Sequence, residues 1–293
     1  MFKSEMQKIL DASEKKIEYM TKSPVGYLIL SALAGVYLGF GITLIFSVGG
    51  PIAAAGDAAY LKLIMGASFG VALSLVIFAG SELFTGNNMI FAISRLAKRV
   101  GIGPIITLFT MCFIGNFFGS AFLGWLVVEG GSLTEASQAL VLKVAAGKMG
   151  LGAKEAFLRG ILCNWLVCLA VWISLRTKSE TAKLIMIFWC LFAFIGSGFE
   201  HSIANQSLLS MAMFLPHGIE ISAAGFIHNQ IFVTLGNLVG GGAFVGMVYW
   251  LATPSLRMEA TLHEEELVVE KNSLKKSTSS HLEKNFPGRA SKV

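Results

Sequence analysis

Two stretches govern the reading of this chain: Ala79-Gly80-Ser81-Glu82-Leu83-Phe84-Thr85-Gly86-Asn87 and Gly196-Ser197-Gly198-Phe199-Glu200-His201-Ser202-Ile203-Ala204-Asn205. Each lies inside a long apolar run and sets small residues before a glutamate and polar residues after it. An ionisable side chain in such a run is costly and functional by default. The glycines predict a broken helix. In lipid a break survives only where it is buried in protein or lines water, because every freed N–H or C=O is expensive there. A glycine kink in a packed helix would account for one such stretch; two matched ones, each with an ionisable residue, favour a transport path.

The match extends outward. A Gly-Asn pair follows each stretch in the next apolar run, Gly115-Asn116 after the first and Gly236-Asn237 after the second, at nearly the same separation from its glutamate. The chain therefore reads as two repeats of three helices, and three helices per repeat forces the second copy to be inverted. Inverted repeats bring discontinuous helices together near the membrane midplane. The N-terminus of a half-helix carries partial positive charge and free N–H donors, which suits an anion.

Apolar runs of the roughly 20 residues needed to cross a bilayer lie near 25–48, 62–91, 104–128, 154–175, 183–212 and 222–252. The expectation is an all-α membrane protein with six transmembrane helices, the second and fifth broken. Composition agrees: 54% of the 293 residues are hydrophobic and only 14% charged, where a soluble domain carries roughly a quarter. Residues 1–23 read as an amphipathic cytoplasmic helix, with Phe2, Met6, Ile9, Leu10, Ile17 and Met20 at helical spacing. It is expected to lie along the membrane surface or dock under a channel domain spanning 24–254. Residues 255–293 turn polar, with Glu264, Glu265 and Glu266 followed by Lys271, Lys275 and Lys276, and read as a flexible cytoplasmic tail.

Lysine and arginine in the short loops set orientation. Arg95, Lys98 and Arg99 lie in the second-to-third connection, and Arg176, Lys178 and Lys183 in the fourth-to-fifth. The loops on the other side hold Asp57, Lys62, His217 and Glu220, with a mixture at Glu129, Glu135, Lys143 and Lys148. This places both termini in the cytoplasm, in a multi-pass protein of the inner (plasma) membrane.

His201 is the sharpest candidate for chemistry, since imidazole exchanges protons near neutral pH; the plain alternative is a ring fixed by a neighbouring carbonyl. Thr85 could bond an anion, orient the imidazole or simply cap a helix end. Glu82 and Glu200 would repel an anion, so each is expected to cap freed N–H groups at its break and face away from the path. Asn116, Asn164 and Asn237 are mid-helix amides suited to pore donors or interhelical ties, and Asn164 is the one expected to line the pore. Lys148 could draw anions into a vestibule or be an ordinary loop lysine. Gly35, Gly39, Gly119, Gly240 and Gly246 fit close helix packing. Cys112, Cys163, Cys168 and Cys190 lie in apolar runs without metal spacing, and neither a metal nor a cofactor is expected. There is no basic stripe with interleaved aromatics for nucleic acid and no phosphate loop for a pump.

Gly-Ser-Glu-Leu-Phe-Thr-Gly at 80–86, Gly-Phe-Glu-His-Ser-Ile-Ala-Asn at 198–205 and Leu-Cys-Asn-Trp-Leu-Val-Cys-Leu-Ala-Val-Trp at 162–172 resemble signatures of the formate/nitrite transporter family. Ser-Glu-Leu-Phe-Thr-Gly, Cys-Asn-Trp-Leu-Val-Cys-Leu-Ala and Val-Thr-Leu-Gly-Asn are most similar to its nitrite-channel branch. The resemblance implies an aquaporin-like fold, a homopentamer with one pore per protomer, and passage of nitrite, formate, hydrosulfide or a similar weak-acid anion with protons. It implies pore or substrate roles for His201, Thr85, Asn164, Asn237 and Lys148. It also implies apolar constrictions at Phe69, Leu73, Leu83, Phe84 and Phe194. Either His201 protonates the anion so that a neutral acid crosses, or the anion crosses held by His201, Thr85 and Asn164. A neutral-solute channel lacks its usual Asn-Pro-Ala pairs here. A membrane enzyme would have only the adjacent pair Glu200 and His201, whose side chains diverge on a helix.

Overall fold

The computed structural model describes residues 2–254; the predicted tail at 255–293 lies outside the described residues. Every regular element among those residues is helical. In chain order they are α1 (Lys3–Lys22), α2 (Pro24–Ala54), α3 (Ala58–Ser68), α4 (Gly70–Leu75), α5 (Phe84–Leu96), α6 (Ile102–Glu129), α7 (Glu135–Met149), α8 (Ala153–Arg176), α9 (Glu180–Gly196), α10 (Ser202–Phe214), α11 (Ala223–Val239) and α12 (Val248–Leu251). Wider π-helical turns, Val76–Gly80 and Gly240–Met247, follow α4 and α11.

Among the described residues, five helical stretches are long and apolar enough to cross a membrane: Pro24–Ala54, Ala59–Gly80, Ile102–Glu129, Ala153–Arg176 and Ala223–Leu251. The apolar stretches expected at 62–91 and 183–212 are each divided. Helix ends at Gly80 and resumes at Phe84; it ends at Gly196 and resumes at Ser202. Gly80 (φ 80°) and Gly198 (φ 72°) lie in left-handed backbone that a side chain would strain. α9 is 17 residues long, about 26 Å at 1.5 Å per residue.

α2 packs along α6, and α8 along α11. Both pairs approach until backbones touch, which only glycine permits. A Cβ on Gly119 would lie 1.8 Å from the Ala32 carbonyl oxygen, and one on Gly35 2.1 Å from that of Asn116. Gly236 and Gly240 would meet the carbonyls of Phe157 and Ile161 at 2.2 and 2.3 Å. With no hydrophobic drive between helices in lipid, such small-residue contacts supply the dispersion and backbone packing that hold a bundle together.

α1 docks by its apolar side: Met6, Ile9 and Leu10 are buried, and Ser13 bonds Ser94 of α5 at 2.7 Å. Phe2 packs edge-on to Trp172 and Tyr249, beneath the Arg176 guanidinium. Arg99 bonds Glu14 at 2.6 Å, which ties the connection after α5 to α1.

Gly119→Ala should lower stability by about 1–3 kcal/mol, the usual cost of overpacking. The readout is the melting temperature of the detergent-solubilised protein. Gly103→Ala on the same helix, where a Cβ meets nothing within 4 Å, should leave it unchanged.

Candidate functional site

The two helix breaks are built from matching bonds. At the first, the Asn116 carboxamide accepts from the Phe84 N–H (3.0 Å) and donates to the carbonyls of Ser31 (2.7 Å) and Glu82 (2.8 Å). At the second, the Asn237 carboxamide accepts from the Ser202 N–H (2.8 Å) and donates to the carbonyls of Gly160 (2.8 Å) and Glu200 (3.0 Å). The glutamate N–H groups donate to Leu30 and Arg159 carbonyls at 3.1 and 3.2 Å. Both asparagines are fully buried, and with these bonds the extended backbone costs little in a dry interior. Asn237, a candidate pore donor, thus spends its side chain on backbone.

Glu82 and Glu200 do not cap N–H groups as expected; the asparagines take that role. The carboxylates instead hold lysines. Glu82 receives Lys16 of α1 at 2.5 and 2.6 Å, with Tyr27 and Asn87 each at 3.3 Å. Glu200 receives Lys148 of α7 at 2.7 Å and Asn205 at 2.7 Å. A buried carboxylate needs such a partner, because an isolated charge in low dielectric is prohibitive. Asn87 and Asn205 close the two quoted stretches, each five residues after its glutamate, but the sequence reading gave neither a role. Lys16 had no signal, being 66 residues from Glu82 in the chain.

His201 sits at the head of α10, 2% exposed. Its Nδ1 accepts from the Ala204 N–H at 3.1 Å, and its Nε2 lies 3.0 Å from the Thr85 hydroxyl at the head of α5. A backbone N–H can only donate, so Nδ1 carries no proton and the neutral ring bears its hydrogen on Nε2. The heads of α5 and α10 thus meet through the Thr85–His201 bond. Their leading N–H groups are mostly spoken for: Phe84 and Ser202 by asparagine, Ala204 by the imidazole. Asn164, expected to line the pore, is fully buried and donates to the carbonyls of Thr85 (3.2 Å) and Asn237 (2.7 Å). It is a tie between α5, α8 and α11, and none of the cavities described next includes it.

Three cavities follow one another through this region. The first, about 210 Å³, holds Lys148 and His201 with Phe46, Phe194 and Phe199. The second, about 10 Å³, is lined by Leu38, Phe69, Leu73, Leu83, Val167, Leu191, Phe194 and His201; that is space for about one water. The third, about 430 Å³, holds Lys16, Glu82 and Asn87 and shares Leu73 and Leu83 with the second. His201 and Phe194 are common to the first two. The neck therefore gathers four of the expected constriction residues, Phe69, Leu73, Leu83 and Phe194. Phe84 is placed elsewhere, its ring packed edge-on against Phe109 and Phe113. Leu38, Val167 and Leu191 complete the neck, and nothing in their sequence context distinguishes them from lipid-facing residues.

The formate/nitrite transporter profile matches residues 3–251, nearly all of the described chain. The chain belongs to the formate/nitrite transporter family. Within that family, the Escherichia coli (strain K12) protein named nitrite transporter NirC is 42% identical over 255 residues, covering 87% of this chain and 93% of its own. Among solved structures, an FNT family ion channel superposes with a TM-score of 0.82 at 41% identity, over 86% of this chain and 100% of that one. A pentameric formate channel with formate bound superposes at 0.68 with 32% identity, over 79% and 98%. Membership, with several apolar helices, makes this a multi-pass membrane transporter.

Lys148→Met strands the Glu200 carboxylate, whose side chain is 3% exposed. It should cost about 3–5 kcal/mol, as for a buried pair losing one partner. Lys148→Met combined with Glu200→Gln should recover much of that loss, which a double-mutant cycle on thermal unfolding will measure.

Proposed function

We propose that this chain is a passive route for small monovalent weak-acid anions, with nitrite the favoured cargo. The observation that carries the reading is the file of three cavities, the first two joined at His201 and Phe194 and the last two at Leu73 and Leu83, with lysine in both wide mouths and an apolar neck between. The likeness to the nitrite transporter NirC favours nitrite. The likeness to a formate-bound channel keeps formate as the alternative, with hydrosulfide a third cargo.

The six-span architecture belongs to the same reading. α3 and α4 would enter the membrane and α5 leave the break as a half-helix; α9 and α10 would do the same in the inverted second repeat. Arg95, Lys98, Arg99, Arg176, Lys178 and Lys183 support a cytoplasmic α1 face and cytoplasmic termini, which would make the Lys16 mouth cytoplasmic and the Lys148 mouth external. The pentameric relative supports a homopentamer with one pore in each protomer.

Chemistry at the neck follows from its apolar walls. A bare anion cannot cheaply enter a water-sized space lined by leucine and phenylalanine; a neutral acid can. Of the two ways to use His201, the geometry favours the neutral ring as donor. A second proton on Nδ1 would break the bond from the Ala204 N–H, whereas a cargo oxygen can replace the Thr85 hydroxyl as acceptor of the Nε2 hydrogen with the ring, and its Nδ1 bond, left in place. The cargo then takes its own proton from water in the wide mouth, and His201 with Thr85 guides it through.

The test is flux in proteoliposomes, with nitrite, formate and hydrosulfide offered separately and internal pH recorded. Nitrite should move fastest and carry one proton with each anion. His201→Phe should cut nitrite flux roughly two- to tenfold, the worth of a hydrogen bond to a neutral acid, yet leave the proton-to-anion ratio of the residual flux unchanged. A ratio that collapses in His201→Phe would make the imidazole the proton source. Equal fluxes of the three species would mean a general weak-acid route, and no flux of any would overturn the proposal.

A further inference from the structure

The cavity on the Lys148 side contains a second lysine that nothing above has used. Lys62 lies in the second turn of α3 and lines this cavity with Lys148 and His201. Its side chain is exposed.

The two lysines differ in what faces them. The Lys148 ammonium is 2.7 Å from the Glu200 carboxylate, with the two side chains 19% and 3% exposed. A pair that close offers an incoming anion only a dipole, whose pull falls off faster with distance than that of a single charge. Lys62 has no such partner: among the described residues no carboxylate pairs with it, and none lines the cavity. At the opposite mouth Lys16 is also spent, bound at 2.5 Å to Glu82 in the same cavity. Across both mouths, among the described residues, Lys62 is the lining cation left uncompensated.

We infer that Lys62, rather than Lys148, is the charge that concentrates anions at this mouth. The inference rests on reading the cavities as an anion path. Lys148 has a different task, to keep the buried Glu200 paired and the break in place. Lys62 acts by field alone: a lysine some 10 Å from a passing anion, beside low-dielectric walls that focus its field, raises anion occupancy roughly two- to fivefold at low salt. Such steering reads charge and not shape, so it should serve nitrite and formate alike.

The experiment uses the full chain in proteoliposomes, with nitrite and formate as probes below saturation and the potassium salt of a bulky, excluded anion as the screening electrolyte. Ionic strength is raised from about 10 mM to about 1 M, over which the screening length shrinks from about 30 Å to about 3 Å. Wild-type flux should fall with salt. Lys62→Gln should start roughly two- to fivefold lower and show little salt dependence, and Lys62→Glu should start lower still and rise with salt. Lys62→Arg should follow wild type. Wild-type salt dependence in Lys62→Gln, or a loss of equal size at every salt concentration, would overturn the inference, the second by showing a structural role. Absence of wild-type flux with either anion would instead strike the anion-path reading, so the two failures are distinguishable.

Discussion

The carboxamides of Asn116 and Asn237 each close three backbone hydrogen bonds where the surrounding medium can offer none. Glutamine would overshoot by a methylene and aspartate would lack the two donors. Once these ties are made, helix can stop, run extended past a glutamate and restart, and the restarted helices bring Thr85 and His201 to 3.0 Å. Gly80 and Gly198 supply the turn and Lys16 and Lys148 neutralise the glutamates, but both serve a break that the asparagines make affordable.

The all-helical membrane class was legible because membranes punish local error. The glycines and glutamates of the two quoted stretches stood out against apolar surroundings, and the Gly-Asn pairs fell at matching distance, so the breaks and their companions could be paired without coordinates. Roles were harder to read. The carboxylates of Glu82 and Glu200 looked like caps because their partners come from α1 and α7, far away in the chain. Asn164 looked like a pore donor because a buried tie and a pore amide have the same sequence context. Phe84 looked like a constriction by position, yet the turn that α5 makes sends its ring towards Phe109 and Phe113. Long-range partners and side-chain direction are what a one-dimensional pattern does not carry.

The two halves agree in scaffold and differ at the centre. Counting from Glu82 and Glu200, Asn87 answers Asn205, and Phe84 answers Ser202 as the N–H held by asparagine. His201 itself is answered by Leu83. One half thus contributes a polar ring to the midpoint and the other an apolar wall, so the neck is chemically one-sided although its supports are paired. The hydrogen-bonding partner for His201 comes from Thr85, two residues past its positional counterpart.

The neck also bears on how fast anything can pass. With space for about one water between Phe69, Leu73, Leu83 and Phe194, there is no standing aperture whose width could be tuned. On the proposed path throughput would be a matter of timing: passage would wait for the edge-packed rings of Phe69 and Phe194, 5.5 Å apart, and their leucine neighbours to lean aside together. A door that is shut at rest and opens by thermal side-chain motion would admit one small molecule per opening, would leak few ions in between, and would make the rate of traffic a property of core packing as much as of charge.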